Sequence, residues 1–132
     1  MINVTIPNLK KFQSAFKKYP ALSEKAITRA ILKSMYEIVI ETKPLVPFKK
    51  GLLKGSIGEQ GQGGIFQVSK MSGMVGSRVK YAVYVHESYN RHPRGGQRKF
   101  LEVGAKKALR KINGYFKEEI DDVFNKISKD SK

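Results

Sequence analysis

The chain has 132 residues, 40% of them apolar, which suits one domain with a modest core and excludes a disordered composition. It has no cysteine, so disulfides, thiol catalysis and cysteine-ligated zinc are excluded. Its formal net charge of +15, from 26 Lys and Arg against 11 Asp and Glu, is spread along the chain. Such a charge favours acidic partners: nucleic acid, an anionic membrane surface or an acidic protein. No run approaches the roughly 18 apolar residues of a membrane span. The start, "MINVTIPNLKKF", lacks the charged lead and apolar block of a secretory signal, so neither insertion nor export is expected.

In chain order, Ile2, Val4 and Ile6 alternate as in a short strand. Leu9, Phe12 and Phe16 follow at helical spacing, and Pro20 breaks or restarts the helix. From Leu22 to about Thr42 the pattern is helical: Ile27, Ala30, Ile31, Met35 and Ile38 form one stripe. Tyr36 and Ile40 lie on a different face, so this helix packs on more than its own core, or on a partner. Pro44 and Pro47 end it. After a glycine-rich stretch around Gly55 to Gly64, "IFQVSK" and "MVGSRV" read as two strands joined by "MSG".

"YAVYV", Tyr81 to Val85, fits either a strand or a helical turn, and the reading favoured here has it close the sheet. From Lys99 onward Leu101, Ala105, Ala108, Leu109, Ile112, Phe116, Val123 and Ile127 recur at helical spacing. About 28 residues would span roughly 42 Å at 1.5 Å each, against roughly 36 Å expected for a globule of this length. The helix therefore bends, at Asn113-Gly114, or projects. Its bases (Lys106, Lys107, Arg110, Lys111) precede its acids (Glu118, Glu119, Asp121, Asp122), against the helix dipole. That order points to a partner surface, unless solvation alone tolerates it. The fold class expected is α+β: a long N-terminal helix, a small antiparallel sheet and a long C-terminal helix in one domain spanning 1–132.

Candidate chemistry is thin. His86, Glu87 and His92 could be imagined as a metal set or an acid–base group, but a proline- and glycine-rich loop does not offer the spacing of a zinc helix. "GLLKGS" lacks the order of a phosphate loop, because Lys54 precedes Gly55 where it should follow. "NRHPRGGQRK" brings Arg91, Arg94, Arg98 and Lys99 close to Tyr89, a combination able to dock on a partner or grip a phosphate backbone. No catalytic, cofactor or metal residues are assigned, and no enzyme is expected.

Three segments carry a resemblance. "PFKKGLLKGSI" looks like P-x-[DK]-[TK]-G-x-L-[RK]-x-S, "VKYAVYVHES" is similar to Y-A-x-Y-V-[EH]-x-G-T, and "QRKFLEVGAKKA" resembles P-F-L-x-x-A. In this order, behind a long helix, they resemble the phage tail-component family named after gene product ten of an HK-ninety-seven-type phage. The matching positions are Pro47, Gly51, Leu53, Ser56, Tyr81, Ala82, Tyr84, Val85, Phe100, Leu101 and Ala105. Lys50, Glu87-Ser88 and Lys99 depart from the pattern.

The resemblance implies a structural virion protein that joins heads to tails or completes the tail. It implies docking on other neck or tail proteins, a homo-oligomeric ring of six-fold symmetry, and a place in the virion after assembly in the host cytoplasm. The residues themselves suggest Leu53 and Ile57 in the core, Ser56 bonding local backbone, Phe100 and Leu101 anchoring the last helix, and Tyr36 and Ile40 at a subunit interface. The rival expectation is a small basic protein that binds nucleic acid without sequence preference.

Overall fold

Pro20 sets the first corner. Helix α1 (Leu9–Lys18) ends just before it, with Lys17 and Lys18 in the last turn, where the helix dipole favours cations. Pro20 then opens helix α2 (Pro20–Thr42), at a position that needs no backbone donor. The computed structural model describes residues 9–47, 52–59, 61, 63–69, 71–87 and 96–130. The strand expected over residues 2–6 lies outside them, as do Gly51, Arg91, His92, Arg94 and the side chain of Tyr84.

Helix α2 runs into a 3-10 turn, Lys43–Leu45, that carries Pro44, and the chain becomes extended at Val46, ahead of Pro47. A short helix α3 (Leu52–Ser56) follows. Strands β1 (Gly64–Ser69) and β2 (Ser72–Ser77) pair antiparallel from Gly64↔Ser77 to Ser69↔Ser72. Helix α4 (Ala82–Glu87) and the long helix α5 (Phe100–Asp130) complete the order. The architecture is α+β: two long helices packed on each other, with a two-stranded sheet that falls between them in chain order.

The structure corrects two expectations. "MSG" is not the hairpin's connection, because Ser72 and Gly73 already belong to β2, Ser69 and Ser72 are cross-strand partners, and Met71 takes the left-handed conformation at φ 59°. "YAVYV" does not close the sheet: Ala82 to Glu87 form α4, which puts Ala82 and Val85 one helical turn apart against the same apolar cluster. Helix α5 is continuous through Asn113-Gly114: its 31 residues form one helix, about 46 Å long at 1.5 Å per residue.

Helix α2 is the middle layer. One side packs along α5 and another carries the hairpin. Where β2 crosses α2 its backbone lies directly on α2 side chains, since a Cβ on Gly73 would lie 2.3 Å from Met35 Sδ and 2.8 Å from Ile31 Cγ2. Helix α5 runs antiparallel to α2, pairing Glu119 with Arg29 and Lys111 with Glu37. This explains its reversed charge order, because the acidic second half of α5 lies against the basic first half of α2. The partner that the charge order implied is a neighbouring helix of the same chain.

Two apolar clusters bind α1, α2 and α5 at one end: Phe12, Ile27 and Ile120 in one, Ala15, Ala26 and Val123 in the other. A third cluster lies at the opposite end of the helix pair.

Candidate functional site

That third cluster is where the sequence motifs meet. Val46, Leu53, Ile57 and Phe100 are buried together, with Leu45, Ala82, Val85 and Leu101 packed around them. Leu53 comes from the first motif, Ala82 and Val85 from the second, Phe100 and Leu101 from the third. Residues dispersed over some fifty positions thus share one core.

The backbone is fixed there too. Ser56 Oγ donates to Leu53 O at 2.7 Å and lies 2.6 Å from Ser77 Oγ, tying α3 to the end of β2. Gln97 N–H donates to Leu45 O at 2.8 Å, and a Cβ on Gly96 (φ 90°) would lie 2.4 Å from Pro47 Cα. Only glycine allows that approach in that conformation. Ala105 is partly buried, whereas Tyr81 is exposed. An open hollow of about 230 Å³ beside the cluster is lined by Ile57, Ala82, His86 and Phe100 among others. Leu53, Ser56, Ala82, Val85, Phe100 and Leu101 therefore do structural work: they seat α3, α4 and the start of α5 on one another.

Glu87 organises the rim. Lys99 bonds its carboxylate, His86 Nδ1 approaches it at 3.1 Å and Arg98 at 4.0 Å. Hydrogen bonds from Lys99 and then His86 hold the carboxyl below the usual range. Arg98 Nε also donates to Glu87 O at 3.0 Å, and Lys99 N–H to His86 O at 2.7 Å. Arg98 and Lys99, proposed from sequence as docking or phosphate contacts, are thus drawn back onto the end of α4. The His86 ring packs edge-on against Phe100 at 4.8 Å, and its Nε2 has no hydrogen-bond partner among the described residues. No group of three His, Cys, Asp or Glu able to hold a metal occurs among the described residues.

Tyr36 and Ile40 lie elsewhere, on the exposed strip of α2. They are 56% and 61% exposed, although both are large and apolar. The Tyr36 ring leans on Phe66 of β1 at 4.8 Å, which joins the strip to the hairpin. Val68, Met71 and Met74 are further exposed apolar side chains on that hairpin. Periodicity identified Tyr36 and Ile40; it missed the hairpin methionines, whose exposure depends on how the hairpin sits on α2.

Sequence reasoning also missed the buried acids of the α2–α5 seam. Glu119 receives Arg29 Nε at 3.0 Å and Lys33 Nζ at 2.9 Å. Burial pushes its pKa up, but the bonds from Lys33 and Arg29 outweigh that and leave it lowered. Glu37 accepts from Tyr115 Oη at 3.0 Å and pairs with Lys111 at 3.0 Å. The bond to Glu37 raises the pKa of both Lys111 and Tyr115.

In comparisons with known proteins, no family model, curated protein or solved structure matches this chain. Among the described residues no helix is long and apolar enough to cross a membrane.

Proposed function

We propose that the chain is a structural virion protein of a long-tailed phage or prophage, acting in head–tail joining or tail completion by ring assembly and docking on other neck or tail proteins. The observation that carries this reading is the exposure of Tyr36 and Ile40 on an otherwise well-packed helix. Large apolar side chains that the chain's own core does not claim suit a protein partner. The ordered motif segments add the resemblance to a phage tail-component family, from which come six-fold symmetry, assembly in the host cytoplasm and a final place in the virion. The role requires recognition and no catalysis.

The test is Ile40→Lys alongside Tyr36→Ala. The mass of the intact assembly, alone and with purified tails, should fall to that of smaller species while the helical circular dichroism is kept. Full-size rings formed by Ile40→Lys would remove the strip from the interface and this support from the reading.

A further inference from the structure

We propose that the outer face of α5, from Lys106 to Lys117, is a track for the phosphate backbone of duplex DNA. This surface is distinct from the strip carrying Tyr36 and Ile40, and the inference does not depend on the docking reading. From Val103 to Lys117 the helix contains no acidic residue and five cations. Lys111 is committed to Glu37 across the seam, and Lys106 to Glu102 at 3.6 Å one turn back. Lys107, Arg110 and Lys117 are exposed and have no ionic partner among the described residues. The opposite side of the helix is anchored by buried Gly104, Ala108 and Ile112, so the three cations point away from α2.

The spacing suits a polyanion. Lys107 to Lys117 spans about 15 Å of helix axis, the length over which one DNA strand presents roughly four phosphates. Gly114 is exposed between Arg110 and Lys117, and a Cβ there would meet nothing within 4 Å. The helix backbone can therefore come close to a strand without a side chain in the way. Exposed Glu118 and Asp121 follow directly and would repel phosphate, which bounds the track.

Duplex DNA fits better than an acidic protein or a membrane. A protein interface has an apolar centre, and a membrane-surface helix sinks an apolar face, but this face exposes no large apolar side chain. Lysine charges on an unbroken helix without a docking apparatus for base edges give sequence-independent contact.

The experiment is binding of a short random-sequence duplex across a salt series, followed by fluorescence anisotropy. It compares the full chain, the combined Lys107→Gln, Arg110→Gln and Lys117→Gln variant, and a control of equal charge, Lys10→Gln with Lys17→Gln and Lys18→Gln on α1. Thermal melting checks that each variant is folded. The α5 variant should bind at least about tenfold more weakly, with the slope of log affinity against log salt reduced by about 2 to 3, because each phosphate contact contributes about 0.9. The control should lose less than about threefold, a loss of general attraction only. Equal losses in the two variants would show diffuse charge and overturn the proposal, as would no duplex binding at low salt. Competition by poly-glutamate at lower concentration than by duplex would assign the face to an acidic protein instead. The α5 variant should still form rings, so failure of this proposal and failure of the docking reading are separately visible.

Discussion

Arg29, Lys33, Tyr36 and Ile40 occupy one exposed strip of α2, at successive spacings of four, three and four residues. The first two reach across to α5, where Glu119 and Asp122 receive them. Of the last two, Tyr36 leans on Phe66 of the hairpin and Ile40 is open to solvent. The strip is therefore completed inside the chain over its first half and left bare over its second. Solvent exposure alone does not distinguish the halves, since all four side chains are around half exposed. The difference lies in how an exposed group is answered among the described residues: ion pairs hold the first half, and a single ring contact, at Tyr36, touches the second.

The comparison can be broken first at the seam. Gly104→Ala would place a Cβ 2.1 Å from Thr42 Oγ1 and 2.8 Å from Thr42 Cα. Urea unfolding should show a loss of about 1–3 kcal/mol, the usual cost of overpacking.

Glu119→Gln should cost about 1–2 kcal/mol at neutral pH, allowing for the solvent already screening Arg29 and Lys33. Because the folded pKa of Glu119 lies below its ordinary 4.5, its stabilisation is present above that value and is lost as pH falls through the folded pKa. The wild-type chain should lose stability more steeply on acidification below about pH 4.5 than Glu119→Gln, measured by melting temperature against pH.

Gly114→Ala, on the open face of the same helix, should have the opposite sign: a gain of up to about 1 kcal/mol from helix propensity alone. A loss there would mean that α5 needs its glycine for something other than packing. Ile40→Ala should be the mildest, within about 0.5 kcal/mol of wild type for a surface change. A cost near that of a core truncation would show that the bare half of the strip is claimed within the chain after all.

Legibility in the sequence followed the length over which a pattern repeats. Helices α2 and α5 offer many turns of apolar repeat, and Pro20 and Pro44 punctuate one of them, so their boundaries could be read closely. "YAVYV" offers five residues, too few to separate a period of two from one of 3.6, and its helical form is set by the apolar cluster formed with Leu53, Ile57 and Phe100. The helix at Leu52–Ser56 was missed because Gly55 and the glycines after it read as a loop. Gly104 and Gly114 look alike in sequence; only the crossing partner Thr42 separates them. Tyr36 and Ile40 stood out because, spaced by four, they lie on a different face of α2 from its main apolar stripe. The inward turn of Arg98 and Lys99 could not be read, since it depends on where α4 leaves Glu87.

The bonds from Arg29 and Lys33 to Glu119 and from Tyr115 to Glu37, which join α2 to α5, link residues 78 to 90 positions apart. Closing loops of that size costs entropy that local contacts avoid, whereas a hairpin such as β1–β2 forms within microseconds. The hairpin and the α1–α2 corner should thus be in place well before α5 arrives. During that interval α2 presents the side that α5 will cover to every other chain in solution. Refolding yield should fall as protein concentration rises, because association competes with a slow intramolecular closure.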